Sequence, residues 1–181
     1  MISLSKIIFC YSMLCLSAFV QVPLLQYDAS LDGFTPYNYS LLYIVCFALS
    51  LIFKNNYAFI ASVLYLVSGL CGLPIFAFGG GYEYIWEPSF GYLIGLLPLS
   101  VMTFYVRYHW DALGFKTFKN RSILPLLALI LAHLIGLLYL LIMQKFSFNN
   151  FMSMTVYQLF YDIFWGHLFI IFLPLRIDDK G

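Results

Sequence analysis

GLPIFAFGGGYEYIWEPSFGYLIG, residues 72–95, stands between two strongly apolar segments and carries Gly79, Gly80 and Gly81 in a row, two prolines, Glu83, Glu87 and a dense set of aromatics. Irregular backbone beside hydrocarbon survives only where protein buries it or where it lines a cavity, so a loop of this composition reads as a lid or a pocket wall. Successive glycines can turn their N–H groups inward as a nest for an anion, and Phe78, Tyr82, Tyr84 and Trp86 would supply apolar walls. That combination suits a carboxylate ligand with an apolar body. The same aromatics also fit a membrane-interface belt, and Glu83 and Glu87 read as solvated.

The chain around this stretch has 181 residues, 63% of them hydrophobic and 9% charged, with a mean hydropathy of +0.91. Soluble domains carry roughly 25% charged residues, so the composition is that of an all-α integral membrane protein. At about 20 apolar residues per span, this length holds six spans in a single domain, residues 1–181. The formal net charge of +1 offers no footprint for nucleic acid. Cys10, Cys15, Cys46 and Cys71 lie in apolar segments without C-x-x-C spacing and read as packing residues.

Apolar runs and breakers predict helices over residues 4–25, 39–53, 57–71, 90–108, 122–143 and 154–173, with a polar exposed turn over 26–38. The first run is too long for an ordinary signal peptide, so it is read as a spanning helix. With both termini in the cytoplasm, Lys6, Lys54, Arg107, Lys116, Lys119, Arg121, Arg176 and Lys180 fall inside and only Lys145 outside. The same topology puts residues 72–95 on the outer face, between helices three and four.

Few polar residues lie within the spans. His133 in helix five is a functional candidate by default, with Tyr139 as a partner, or else interhelical hydrogen-bond glue. His167 in helix six is a second candidate. No G-x-x-x-x-G-K-[ST] loop occurs, so energy for any pumping must come from another chain. The histidines lack metal-ligand spacing, and no metal or cofactor is expected.

Residues 72–95 resemble the signature of the BioY biotin transporters, GLPVFA, a glycine-rich turn, then PT-x-GYL-x-G. The motif falls here on Gly72, Pro74, Phe76, Gly79, Gly80, Gly81, Pro88, Gly91, Tyr92 and Gly95, with Ser89 where the family usually has threonine. A weaker similarity covers AHLIGLLYL, residues 132–140. The resemblance implies the biotin-binding S component of an energy-coupling factor (ECF) transporter, in a prokaryotic inner membrane, working with a transmembrane coupling protein and two ATPases. The coupling protein usually packs on small residues of helix one, represented here by Ser12, Cys15, Ser17 and Ala18.

In many relatives helix six carries PGD-x-x-K, whose acid and lysine contact the ureido ring. Aligned on Gly166, this chain has His167 in the acid's position and Ile170 in the lysine's, with Asp162 as a possible substitute one turn earlier. The expected site is then Gly79, Gly80, Gly81 and nearby hydroxyls such as Ser89 for the carboxylate, Phe76 and Tyr92 for the ring, and Asn38 with His167 for the ureido group. Alternatives are an S component for another vitamin, a non-catalytic membrane scaffold, and an intramembrane serine hydrolase using Ser89 and His167.

Overall fold

The computed structural model describes residues 3–28, 33–53, 56–77, 79–109 and 118–172. Its helices are α1 (Leu4–Phe19), α2 (Leu42–Ile52), α3 (Tyr57–Leu70), α4 (Phe90–Tyr108), α5 (Phe118–Ile142), α6 (Phe148–Phe151) and α7 (Gln158–Phe172). A π-helical segment, Met152–Tyr157, joins α6 to α7 without a break, so the described residues form six helical rods. Four of the expected helices differ from these by a few residues at one or both ends; the first differs in kind at its end.

The first helix does not reach residue 25. Val20 is already extended, with φ −82° and ψ 107°, and Pro23 has no N–H to continue a helix and would clash with the preceding turn. The chain instead forms an antiparallel hairpin of β1 (Gln21–Asp28) and β2 (Gly33–Ser40), registered from Gln21↔Ser40 to Asp28↔Gly33. With only two strands both are edges, which is where Pro23 and Pro36 can be accommodated. Residues 26–38 are therefore largely paired strand rather than an open turn, and Asn38 sits on β2. Residues 29–32 lie outside the described residues.

Between α3 and α4 the chain makes the expected irregular loop. Phe76 and Gly79 exchange backbone hydrogen bonds of 3.0 and 3.1 Å, and Gly81 N–H donates to Gly69 O at 2.7 Å. Gly79 and Gly81 have φ of 109° and 110°, a region that side-chain-bearing residues rarely adopt. A short 3-10 turn, Tyr82–Trp86, then leads into α4. Phe78 lies outside the described residues.

The α4–α5 seam is built from the two stretches that carry the family resemblance. A Cβ at Gly91 would overlap the Tyr139 side chain, one at Gly136 the Tyr92 ring, and one at Gly95 would stand 2.7 Å from Ala132 O. Small residues let the helices approach closely, the usual device where lipid removes the hydrophobic drive between helices.

Burial is inverted relative to a soluble bundle. α5 exposes Leu127, Leu131, Leu134, Leu138 and Leu141, a stripe of helical spacing, and buries His133 on its opposite side. Ser50, Ser62, Ser100 and Asp162 are likewise interior, the serines donating to carbonyls of their own helices at 2.8 to 2.9 Å. An exposed apolar face of this extent calls for a lipid surround. Two helical stretches, Phe90–Tyr108 and Pro125–Ile142, are long and apolar enough to cross a membrane, while Leu4–Phe19, Leu42–Ile52 and Tyr57–Leu70 are apolar but shorter.

Candidate functional site

At one end of the bundle, where α1 and α3 finish and α2 and α4 begin, lies a cavity of about 320 Å³. That volume lies at the small-ligand end of the usual range of about 300 to 1,000 Å³. The hairpin contributes Gln21, Asn38 and Ser40; α1 and α2 give Ala18, Leu42 and Tyr43. Tyr65, Ala77 and Tyr84 come from α3 and the loop, and Ser89, Tyr92 and Leu93 from the start of α4. Ser153, Met154 and Gln158 close it from the π segment and the first residue of α7. π turns frequently mark functional sites, because the extra residue redirects side chains that an α-helix would stack.

The lining is apolar and aromatic with convergent neutral polar groups, and none of the described lining residues is charged. Several tyrosines are pinned by the phenol. Tyr43 donates to Tyr92 O at 2.6 Å, Tyr92 Oη pairs with Thr155 Oγ1 at 2.6 Å, and Tyr84 Oη with Ser89 Oγ at 3.1 Å. Each bond ties a wall residue to a different element, so the walls hold their shape without a ligand. A buried phenol also needs such a partner to offset its desolvation.

Behind the wall formed by the hairpin and α7 sits a second polar layer. Tyr39 donates to Asp162 Oδ1 at 2.6 Å. Gln158 Nε2 donates to Ser40 O at 2.9 Å and reaches Asp162 Oδ2 at 3.5 Å. His133 Nε2 faces Asp162 Oδ2 at 3.4 Å. Tyr39, Asp162 and His133 are each 1% exposed or less.

The structure gathers four of the site residues singled out in the sequence onto the cavity: Asn38, at its open edge, Tyr84, Ser89 and Tyr92. Phe76 is fully buried beneath the roof, its ring against Gly69, edge-on to Tyr65 at 5.3 Å and tilted against Tyr84 at 4.6 Å, and does not line the cavity. Tyr139 also stands outside it and donates to Ile85 O, while Lys145 Nζ donates to Trp86 O, so both hold the loop by its carbonyls. His133 lies one layer deeper, edge-on to Tyr43 at 4.7 Å and Tyr92 at 6.0 Å.

Two placements correct the reading from sequence. The glycine nest is not open, because the N–H groups of Gly79 and Gly81 are already bonded within the fold, and a Cβ on Gly80 would overlap Leu73 O. These glycines make the close turn rather than an anion cradle. His167 is exposed and absent from the cavity wall. The inward face of α7 runs through Asp162, Gly166 and Ile170, spaced by four, so the residue after Gly166 points out. It follows that Ser89 and His167 do not form a nucleophile–base pair.

Reasoning from sequence missed Gln158, Tyr43, Tyr65 and Ser153, and treated Asp162 only as a substitute. Gln158 and Asp162, an i, i+4 polar pair on an apolar helix, were the available signal. On α1, Ser17 and Ala18 are buried, with Ala18 on the cavity, which leaves Ser12 and part of Cys15 at the surface.

The bundle has the fold of a solved protein. The crystal structure at 2.1 Å of the S-component for biotin from an ECF-type ABC transporter superposes with a TM-score of 0.68, covering 93% of this chain and 86% of that chain at 19% identity. A family model described as BioY family matches residues 2–176, and the chain belongs to that family. A curated relative, the probable biotin transporter BioY of Lysinibacillus sphaericus, is 24% identical over 170 residues, 94% of this chain and 74% of that protein. Family membership makes this a membrane protein.

Proposed function

We propose that this protein is the substrate-capture subunit of a biotin uptake transporter, binding biotin from the outer side in the cavity between the hairpin, the α3–α4 loop and the π segment, and delivering it inward. The carrying observation is the cavity itself, apolar and ringed by neutral hydrogen-bonding groups, in a chain of the BioY family. Amide and hydroxyl groups of Asn38, Ser89, Ser153 and Gln158 pair with the ureido ring, each as donor or acceptor. Tyr43, Tyr65 and Tyr92 enclose the thioether ring and the start of the alkyl chain. With no charge among the described lining residues, the carboxylate is placed at the open edge of the cavity.

The orientation in the bilayer rests on the ends of the helices. Lys6 starts α1, Arg107 is in the last turn of α4, and Lys119 and Arg121 begin α5, all away from the cavity end, where Lys145 stands. Positively charged residues concentrate on the cytoplasmic side, so the cavity end faces out; the multi-pass chain is assigned to a prokaryotic inner membrane because it is of the BioY family. Transport is driven by a coupling protein and two ATPases, since the sequence carries no G-x-x-x-x-G-K-[ST] loop of its own. No reaction is assigned to the chain: relatives in name and fold are transporter components.

The test is equilibrium binding of labelled biotin to the purified protein in detergent, with thiamine and riboflavin as competitors. Saturable binding displaced by biotin alone is expected. Displacement by another vitamin, or no saturable binding, would overturn the assignment.

A further inference from the structure

The binding mode above leaves Asp162 and His133 unused, yet this carboxyl and imidazole are buried at 0% and 1% exposure in the middle of an apolar bundle. Such residues are costly within a membrane and persist where a partner and a task justify them. Their hydrogen-bond inventory is nearly complete. His133 Nδ1 is 2.9 Å from Leu129 O, a carbonyl that can only accept, so Nδ1 carries a proton. The other nitrogen, Nε2, makes no well-aligned hydrogen bond; the polar atom facing it is Asp162 Oδ2 at 3.4 Å.

Two lone pairs cannot face each other there without repulsion, so one proton belongs between them. It sits either on Nε2 beside a carboxylate or on Oδ2 beside a neutral imidazole, and in both cases the pair has no net charge. The remaining groups around it agree. Tyr39 from β2 and Gln158 from α7 each donate to the carboxyl, while the rings of Tyr43 from α2 and Tyr92 from α4 stand edge-on to the imidazole. No lysine or arginine bonds Asp162 among the described residues.

We propose that Asp162 and His133 share one proton as a neutral buried pair whose task is to position the cavity's polar side wall. The pair holds Tyr39 and Gln158, and through them the strand that carries Asn38 and Ser40 and the amide that lines the cavity. Neither acid nor imidazole touches the ligand. Both are positioning residues, and α5 thereby sets the geometry of a wall that it does not itself line.

The proposal rests on biotin as ligand for its affinity arm, and the outcomes separate the two. Biotin affinity and thermal melting are measured for wild type, Asp162→Asn, Asp162→Leu and His133→Leu, with monodisperse elution as the folding control. Asparagine keeps the acceptor for Tyr39 and supplies an N–H for His133 Nε2, so Asp162→Asn should stay within about threefold of wild-type affinity, the scale of one interhelical hydrogen bond. Asp162→Leu removes the carboxyl that Tyr39 and Gln158 donate to and that His133 Nε2 faces, and should weaken binding by more than about tenfold. His133→Leu should fall between the two, and wild-type affinity should be flat between pH 6 and 8.

An Asp162→Asn loss as large as that of Asp162→Leu would show that a negative charge is needed and overturn the shared proton. Wild-type affinity in Asp162→Leu would overturn the positioning role. If the wild type binds no biotin, the substrate assignment fails instead, and the melting temperatures still decide the pair, Asn near wild type and Leu well below it.

Discussion

Two covers close the cavity, and they are held in opposite ways. The α3–α4 loop is locked by packing: the Phe76 ring lies over Gly69, backbone bonds join Phe76 to Gly79 and Gly81 to Gly69, and Tyr139 and Lys145 hold consecutive carbonyls. The hairpin is held to the bundle near β2 by polar bonds, Tyr39 to Asp162 and Gln158 to Ser40 O, with Leu41 N–H donating to Val20 O at its base. Close-packed backbone has no alternative arrangement nearby. A few side-chain bonds can break and re-form. The loop is therefore the fixed roof, and the hairpin is the wall whose position depends on a small number of groups.

The largest effect should come from forcing the roof. In Gly80→Ala the new methyl would overlap Leu73 O and stand 2.9 Å from Gly69 O, both backbone atoms that cannot rotate away. Overpacking of this kind costs about 1 to 3 kcal/mol, and both the melting temperature and biotin affinity should fall. A Gly80→Ala protein that melts like wild type would show that the roof is not rigid.

Next is the hairpin. Tyr39→Phe removes the 2.6 Å bond and leaves a buried carboxyl oxygen unsatisfied, a loss of about 1 to 3 kcal/mol. Because this bond orders one wall, affinity should drop by more than the melting temperature implies; equal losses in both would place the hairpin with the roof. Tyr139→Phe frees only the half-buried Ile85 carbonyl while keeping the ring against Gly91. A change of about 0.5 to 1 kcal/mol in melting and little in affinity is expected. The smallest effect is His167→Ala, an exposed position that should change binding by less than about 0.5 kcal/mol. A large loss there would return His167 to the site.

The difference between the two covers also decides what could be read in advance. The roof is local in sequence: glycines, prolines and aromatics within residues 72–95 announce an irregular, packed loop, and the seam residues Gly91, Gly95 and Gly136 lie in recognisable stretches. The helices were legible too, since lipid-facing stripes such as that of α5 leave a clear period. The hairpin was not. Its strands pair across residues that read as turn formers, and Pro23 ends a helix that the apolar run would otherwise extend.

The buried pair was half visible. His133 stood out as an ionisable residue within a span, but its partner, Asp162, lies on another helix and is reached only once α5, α7 and β2 are packed together. His167 failed for the same reason: a one-residue shift on a helix turns a side chain by 100°, and motif alignment alone does not fix which face is inward.

The claim that the neutral cavity is the biotin site is tested most directly by protection from a thiol reagent. In a Cys71→Ser background, which removes the exposed native thiol, a cysteine is placed on the cavity wall by Ser153→Cys or on the outer surface of the roof by Tyr82→Cys, a position 70% exposed. Each variant is labelled with a maleimide with and without saturating biotin. The account predicts that biotin slows labelling at position 153 by at least about tenfold and leaves position 82 unchanged. Equal labelling rates at 153 with biotin demonstrably bound would contradict it.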